Sequence, residues 1–232
     1  MTGDRTESGL IGAGSPLRTP RAAGVAGILF AVLLTVSLVL LRLSIPTGAA
    51  VSSIWLRQPA RRTSIGIALS LVPFAGIAFL WFIGVIRDRI GDREDRFFAT
   101  VFLGSGLLFI GMLFTASAVA AGLVAQARLG SATTVDAVAL RSATSITLNT
   151  YALRMAGLFT STVATIALRT TIISRWLCIT GYVVAFGLLI VIGVSAWVAL
   201  LFPAWILLLS LDILRNGFRR SPDAARTVTD TV

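Results

Sequence analysis

The chain has 232 residues, of which 56% are hydrophobic, and its mean hydropathy is +0.90. A soluble domain of this size could not bury so much apolar surface in one core, so the composition excludes an ordinary soluble protein and indicates a lipid surrounding. The 20 basic residues outnumber 10 acidic ones and lie beside long apolar runs, which favours anionic lipid headgroups over nucleic acid as their partner.

The residue types that are missing exclude several kinds of chemistry. Every basic residue is an arginine, and the chain has no lysine and no histidine. Without histidine there is no Ser/His or Cys/His nucleophile pair, and without lysine there is no Walker-type phosphate loop and no Schiff base. The single cysteine, Cys178, leaves no internal disulfide and no CxxC site. We therefore predict a non-enzymatic protein with no catalytic, cofactor-binding or metal-binding residue.

The first predicted element after a polar tail, residues 1–21, is a membrane span over residues 22–43, in which only Arg42 is charged. A cleavable signal peptide is the alternative interpretation, because small residues follow at residues 48–50. The apolar stretch of about 20 residues exceeds the roughly 7 to 15 of a signal peptide. We expect the segment to be retained as an anchor.

The second predicted span covers residues 64–86, where Pro73 predicts a kink. An interfacial segment containing Trp55 precedes it. The sequence RDRIGDREDR at residues 87–96 follows, with four arginines and four acidic residues. Its carboxylates could bind a divalent cation. The interleaved arginines compete for the same oxygens, which favours a solvated, ion-paired loop.

The third predicted span covers residues 97–125 and is long enough to tilt or to project into water. Small residues recur in it at four-residue spacing, which predicts a close approach by another helix. The pairs are Ala116 with Ala120, Ser117 with Ala121, and Ala118 with Gly122. Residues 126–145 are polar and small, and we predict that they form the longest loop.

The fourth predicted span, residues 147–168, is the most polar and contains Asn149, Thr150 and Arg154. A charged side chain within a span is costly, and by default it indicates a functional role. Arg154 lies seven residues inside the outer end of the span, where a long side chain can extend to the headgroups. A binding residue and an interfacial anchor are both open interpretations, and the anchor is favoured.

The last apolar stretch, residues 176–214, has 39 residues and no charge before Asp212. One helix of that length would measure about 58 Å, nearly twice the hydrocarbon thickness. We predict a hairpin that turns near Gly193, Ser195 and Trp197. Its two halves are the fifth span, residues 177–193, and the sixth, residues 197–214. Asp212 either orients helices by pairing with an arginine or takes part in a proton relay.

The distribution of arginines predicts the orientation. With six spans and the N-terminus inside, the inner segments hold 13 arginines and the outer ones six. A five-span arrangement gives nine inside and ten outside, so the positive-inside rule favours six. The predicted fold is an all-α, six-span transmembrane helix bundle with cytoplasmic N- and C-termini, and residues 215–232 form a cytoplasmic tail.

Three stretches carry a family resemblance. They are SLVPFAGIAFLWFIGVIRDRIG at residues 70–91, EDRFFATVFLGSGLLF at residues 94–109 and LFPAWILLLSLDIL at residues 201–214. They resemble a group of uncharacterised six-span integral membrane proteins of actinobacteria, to which no reaction is assigned. The resemblance implies a multi-pass protein of a bacterial plasma membrane and carries over no catalytic residue.

The predicted function is that of an accessory or scaffold protein of the plasma membrane. Its predicted partners are the lipid bilayer and a membrane protein or a second copy of the chain, with no nucleic acid. The alternative is a small-solute transporter or channel with a polar site around the fourth span. A transporter needs a water-accessible polar cavity at mid-depth, whereas a scaffold can be packed shut.

Overall fold

A computed structural model describes residues 20–44, 58–90, 96–130, 133–170, 174–190 and 196–219. Every element in these ranges is helical, and they contain no strand. The helices are α1 (Pro20–Ser44), α2 (Pro59–Ile90), α3 (Arg96–Leu129), α4 (Thr134–Ile146), α5 (Leu153–Thr170), α6 (Arg175–Ile190) and α7 (Leu201–Arg219). A π-helical segment, Thr147–Ala152, joins α4 to α5, and a 3₁₀ turn, Ala196–Leu200, leads into α7.

Among the described residues, five helical runs are long and apolar enough to cross a membrane. They are Ala22–Ser44, Pro59–Arg87, Phe97–Leu129, Val135–Arg169 and Trp197–Arg215. Helix α6 is apolar but has only 16 residues, or about 24 Å at 1.5 Å per residue. Length and composition therefore indicate a multi-pass membrane protein, and the all-helical character predicted from the sequence is confirmed for the described ranges.

Helices α1 and α2 pack antiparallel. Phe30 of α1 lies against Phe79 of α2 with the ring centroids 4.5 Å apart. Further along α1 and further back along α2, the Ser37 hydroxyl donates a hydrogen bond to the Ala68 carbonyl at 2.8 Å. Ser37 is almost fully buried, so this bond satisfies a polar group inside the bundle and fixes the register of the two helices.

The first and last helices meet at one end of the bundle. A side chain at Gly24 would collide with Leu214, and one at Gly27 would collide with Ser210. Helix α1 therefore runs antiparallel to α7, with its beginning beside the end of α7. We call this end, marked by Gly24 and Leu214, the terminal end. The opposite end, where α3 passes to α4 between Leu129 and Thr134, is the hairpin end.

Helix α3 and the continuous run from α4 to α5 form a long antiparallel hairpin. Near the terminal end, the Arg169 guanidinium lies 4.5 Å from the centroid of the Phe98 ring. Near the hairpin end, Leu123 packs against Ala137. The turn after α3 uses Gly130 at φ 72°, a left-handed conformation that favours glycine. With 34 residues, α3 measures about 51 Å and exceeds a hydrocarbon layer of roughly 30 Å.

The prediction of a long loop over residues 126–145 is wrong. Helix α3 continues to Leu129, and α4 begins at Thr134. Thr133 caps α4, because its hydroxyl accepts a hydrogen bond from the backbone N–H of Asp136 at 3.2 Å. The small, polar composition suggested a loop, but α4 has one apolar face that packs on α3. Packing against a neighbouring helix outweighs the low overall hydrophobicity.

The 39-residue apolar stretch is divided between two antiparallel helices. The Trp205 indole N–H of α7 donates to the Leu177 carbonyl of α6 at 3.2 Å. Nearer the end of α6, Gly187 lies beside Leu201 at the start of α7. This packing excludes one overlong helix. The predicted turn at residues 193–195 lies outside the described residues, as do the segment around Trp55, the acidic residues at 92–95 and most of both tails.

Seven phenylalanines fill the centre of the bundle, and we call them the phenylalanine core. They come from α1, α2, α3, α5 and α7, and each is at most 1% exposed. They are Phe30, Phe79, Phe82, Phe102, Phe109, Phe159 and Phe202. Neighbouring ring centroids lie 4.5 to 6.3 Å apart, mostly in tilted or edge-to-face pairs, the geometry that aromatic quadrupoles prefer.

Candidate functional site

A cavity of about 180 Å³ lies toward the hairpin end, between α1, α2, α3, α4 and the π segment. Its wall is mostly aliphatic, and Leu34, Val72 and Leu113 in it belong to the buried cluster that also contains the phenylalanine core. The apolar cavity that binds benzene in another protein has a volume of about 150 Å³. This space is therefore large enough to hold part of an apolar molecule.

Two arginines bring positive charge to this cavity. Arg42, in the last turn of α1, and Arg141, in the middle of α4, both line it and are half-buried. No carboxylate is among the described residues that line the cavity. The lining also includes Ser145 and Asn149, whose amide N–H donates to the Ser145 hydroxyl oxygen at 3.0 Å. The cavity thus combines an aliphatic wall with guanidinium, hydroxyl and amide groups.

The π segment contributes Leu148 and Asn149 to the cavity wall. Here the Leu153 N–H reaches the Leu148 carbonyl, five residues back. The helix therefore accommodates an additional residue in one turn, which changes the direction of the side chains there. Such π-helical turns are rare in proteins, and those that occur often lie at functional sites. The π segment is thus a feature of the cavity that is independent of its two arginines.

The structure does not bring the four predicted site residues together. Asn149 lines the cavity, whereas the neighbouring Thr150 is half-buried outside the lining. Arg154 is exposed on the outer surface of α5. Asp212 is half-buried on α7 towards the terminal end. Of the four residues, only Asn149 lines the cavity.

Sequence reasoning missed the other polar residues of the cavity. Arg141 and Ser145 fell within the predicted loop, and Arg42 was noted only as the charge in the first span. A signal for them was present, because Arg141, Ser145 and Asn149 recur at four-residue spacing. In a helix that spacing places three side chains on one face. The helical assignment of α4 was needed to use it.

The described residues contain no group of three or more Cys, Asp or Glu side chains that could hold a metal ion. No family model, curated protein or solved structure matches this chain. The resemblance to six-span actinobacterial proteins therefore stays a prediction.

Proposed function

We propose that this chain is a six-span, non-enzymatic accessory or scaffold protein of a bacterial plasma membrane. The phenylalanine core is the observation that carries the proposal. A transporter or channel for a small solute needs polar, water-accessible groups at mid-depth. In the middle of the described bundle, seven rings from five helices pack against one another instead. A closed bundle suits a protein that acts through its outer surface.

The packing of the helices supports an even number of spans. The start of α1 lies beside the end of α7, so the first helix begins and the last helix ends on the same side of the bundle. Helix α6 lies along α5, where the hydroxyls of Thr165 and Tyr182 share a hydrogen bond of 2.7 Å. At about 24 Å, α6 would cross by local thinning of the bilayer. The arginine distribution then favours a cytoplasmic terminal end.

The second candidate is a small-solute transporter with a polar site around the fourth span, and Asn149 favours it. This side chain lines the cavity and is half-buried. The cavity, however, lies toward the hairpin end, and the phenylalanine core separates it from the terminal end. A transport cycle would have to part at least some of these packed rings.

Reconstitution of the full-length protein into liposomes tests the proposal. We expect proton flux and the uptake of small polar solutes to equal those of protein-free liposomes, because packed rings fill mid-depth. The buried hydroxyls of Ser105, Thr160 and Ser210 donate to carbonyls of their own helices. The matched variant is Asn149→Ala, which should leave this background rate unchanged. Flux that requires the protein and falls in Asn149→Ala would overturn the scaffold proposal and favour the transporter.

A further inference from the structure

We propose that the cavity between α1, α2, α3 and α4 binds an anionic phospholipid of the surrounding bilayer. Its phosphate would lie at Arg42 and Arg141, and part of one acyl chain would lie along the aliphatic wall. The inference rests on the proposed membrane location of the chain, but it does not depend on the scaffold role.

The charge of the cavity selects an anionic headgroup. Arg42 of α1 and Arg141 of α4 approach the same cavity from two different helices, and a guanidinium with five N–H donors can bind a phosphate beside other partners. A guanidinium offers a planar fork of donors that matches a phosphate better than the point charge of an ammonium does. Ser145 and Asn149 stand on the same face of the helical run as Arg141 and add neutral polar groups.

The shape and wall of the cavity select a lipid rather than a soluble phosphate ester. Its volume of about 180 Å³ is below the roughly 300 to 1,000 Å³ of sites that enclose a whole small molecule. Leu34, Val72 and Leu113 make its wall aliphatic where it adjoins the buried cluster of the phenylalanine core. A phospholipid satisfies both conditions, because one chain segment can enter while the rest of the molecule stays in the bilayer.

Arg42 lies at a depth that suits a headgroup. Arg42 is two residues from the end of α1, where the apolar helix leaves the predicted hydrocarbon layer. Arginines at this depth commonly place the charged group among the headgroups and the aliphatic stem in the apolar region. The cavity extends from this level towards the phenylalanine core, so a lipid bound there would have its normal orientation in the membrane.

The test uses the purified full-length protein in an uncharged detergent. Phosphatidylglycerol, phosphatidylcholine with the same chains, and inorganic phosphate are added separately, and binding is followed by native mass spectrometry and by the shift in unfolding temperature. We expect phosphatidylglycerol to bind and to raise the unfolding temperature in a concentration-dependent way. We expect at least tenfold weaker binding of phosphatidylcholine and no effect of inorganic phosphate at equal concentration.

Substitutions locate the site. Arg42→Gln and Arg141→Gln should each weaken the binding of phosphatidylglycerol about tenfold, because each removes a charge-assisted hydrogen bond to the phosphate. Ala120→Phe fills the cavity from α3 without a change of charge, and it should weaken binding to a similar degree. Arg128→Gln is the matched control, because this exposed arginine lies at the same end of the bundle but does not line the cavity.

Unchanged binding in Arg42→Gln, Arg141→Gln and Ala120→Phe would overturn the proposal. Equal binding of phosphatidylcholine would show that the anionic headgroup is not recognised, and equal stabilisation by inorganic phosphate would replace the lipid with a free anion. If an arginine variant fails to fold, Ala120→Phe still decides the result. Solute flux in liposomes would overturn the scaffold role without affecting these binding measurements, so the two failures are distinguishable.

Discussion

The arginines differ in their surroundings although the residue type is the same. Arg42 and Arg141 are half-buried against one cavity, whereas Arg154 is exposed on α5. Sequence reasoning gave the most weight to Arg154, because charge within a predicted span is costly. Exposure at the bundle surface leaves the side chain free to extend towards the headgroups. The two less exposed arginines, Arg42 and Arg141, lie on α1 and α4, against the cavity.

Replacement of Arg154 with lysine should preserve function. Lysine also carries a charge on a long aliphatic stem, so it can serve as an interfacial anchor in the same place. We expect Arg154→Lys to reach normal abundance in membranes and to complement a deletion strain. Arg141→Lys is the comparison, because lysine cannot copy a paired guanidinium contact in the cavity. Normal abundance of Arg154→Lys without complementation would contradict the anchoring role.

Two glycines should respond differently to a larger side chain. A Cβ at Gly27 would lie 2.8 Å from Cδ2 of Phe82, whereas one at Gly122 would meet no atom within 4 Å. Gly27→Leu should therefore destabilise the protein by about 1 to 3 kcal/mol, the usual cost of overpacking. Gly122→Leu should leave the unfolding temperature in detergent unchanged. The opposite order would show that the face of α3 bearing Gly122 is covered.

The helices follow two different rules, and only one of them could be read from the sequence. Long apolar runs predict α1, α2, α3 and the two halves of the last stretch, because apolar surface must be removed from water. Helix α4 is not predicted by a long apolar run, because it is polar on one side and is stabilised by packing on α3. The small residues of α3 divide in a similar way: Ala116 and Ala120 line the cavity, while Gly122 faces outward.

Deletion of Thr150 tests the role of the π segment. Because a π turn holds one residue more than an α turn, the deletion should restore a regular α-helix and keep the flanking helices in register. We expect a folded protein with an almost unchanged unfolding temperature and weaker binding of phosphatidylglycerol, since Asn149 changes its direction.

The control for this deletion is the removal of Thr162, which is buried in the regular part of α5. Loss of one residue there rotates the rest of the helix by about 100° and should lower the unfolding temperature strongly. Equal destabilisation by both deletions would contradict the idea that the π segment carries an additional residue.

The uneven distribution of arginines predicts the orientation of the bundle in the membrane. The helices establish that the beginning of α1 and the end of α7 lie together. Both ends of the bundle carry charged residues, so the orientation follows from the balance of positive charge between them. Counted for six spans, the 13 arginines of the inner segments against six of the outer ones favour a cytoplasmic location for that end.

Labelling of single cysteines from outside intact cells tests this orientation. All variants are made in a Cys178→Ala protein, which lacks the one native cysteine. Cys178 is buried, and alanine is a small apolar replacement for it. Val135→Cys, 76% exposed at the start of α4, should react with a reagent that does not cross the membrane. Arg215→Cys, exposed near the end of α7, should react only after the cells are opened. Reaction of Arg215→Cys from outside would show that the orientation is the reverse of the predicted one or that the number of spans is different.

The phenylalanine core also has a consequence for proton leakage across the membrane of a cell that makes this protein. Phenylalanine side chains have no group that can pass a proton to a neighbour, and seven of them fill the middle of the described bundle. A membrane crowded with copies should therefore keep its electrochemical gradient. Cells that overproduce the protein should respire and synthesise ATP with normal coupling between proton re-entry and ATP synthesis. High abundance of the protein should therefore not dissipate the proton gradient.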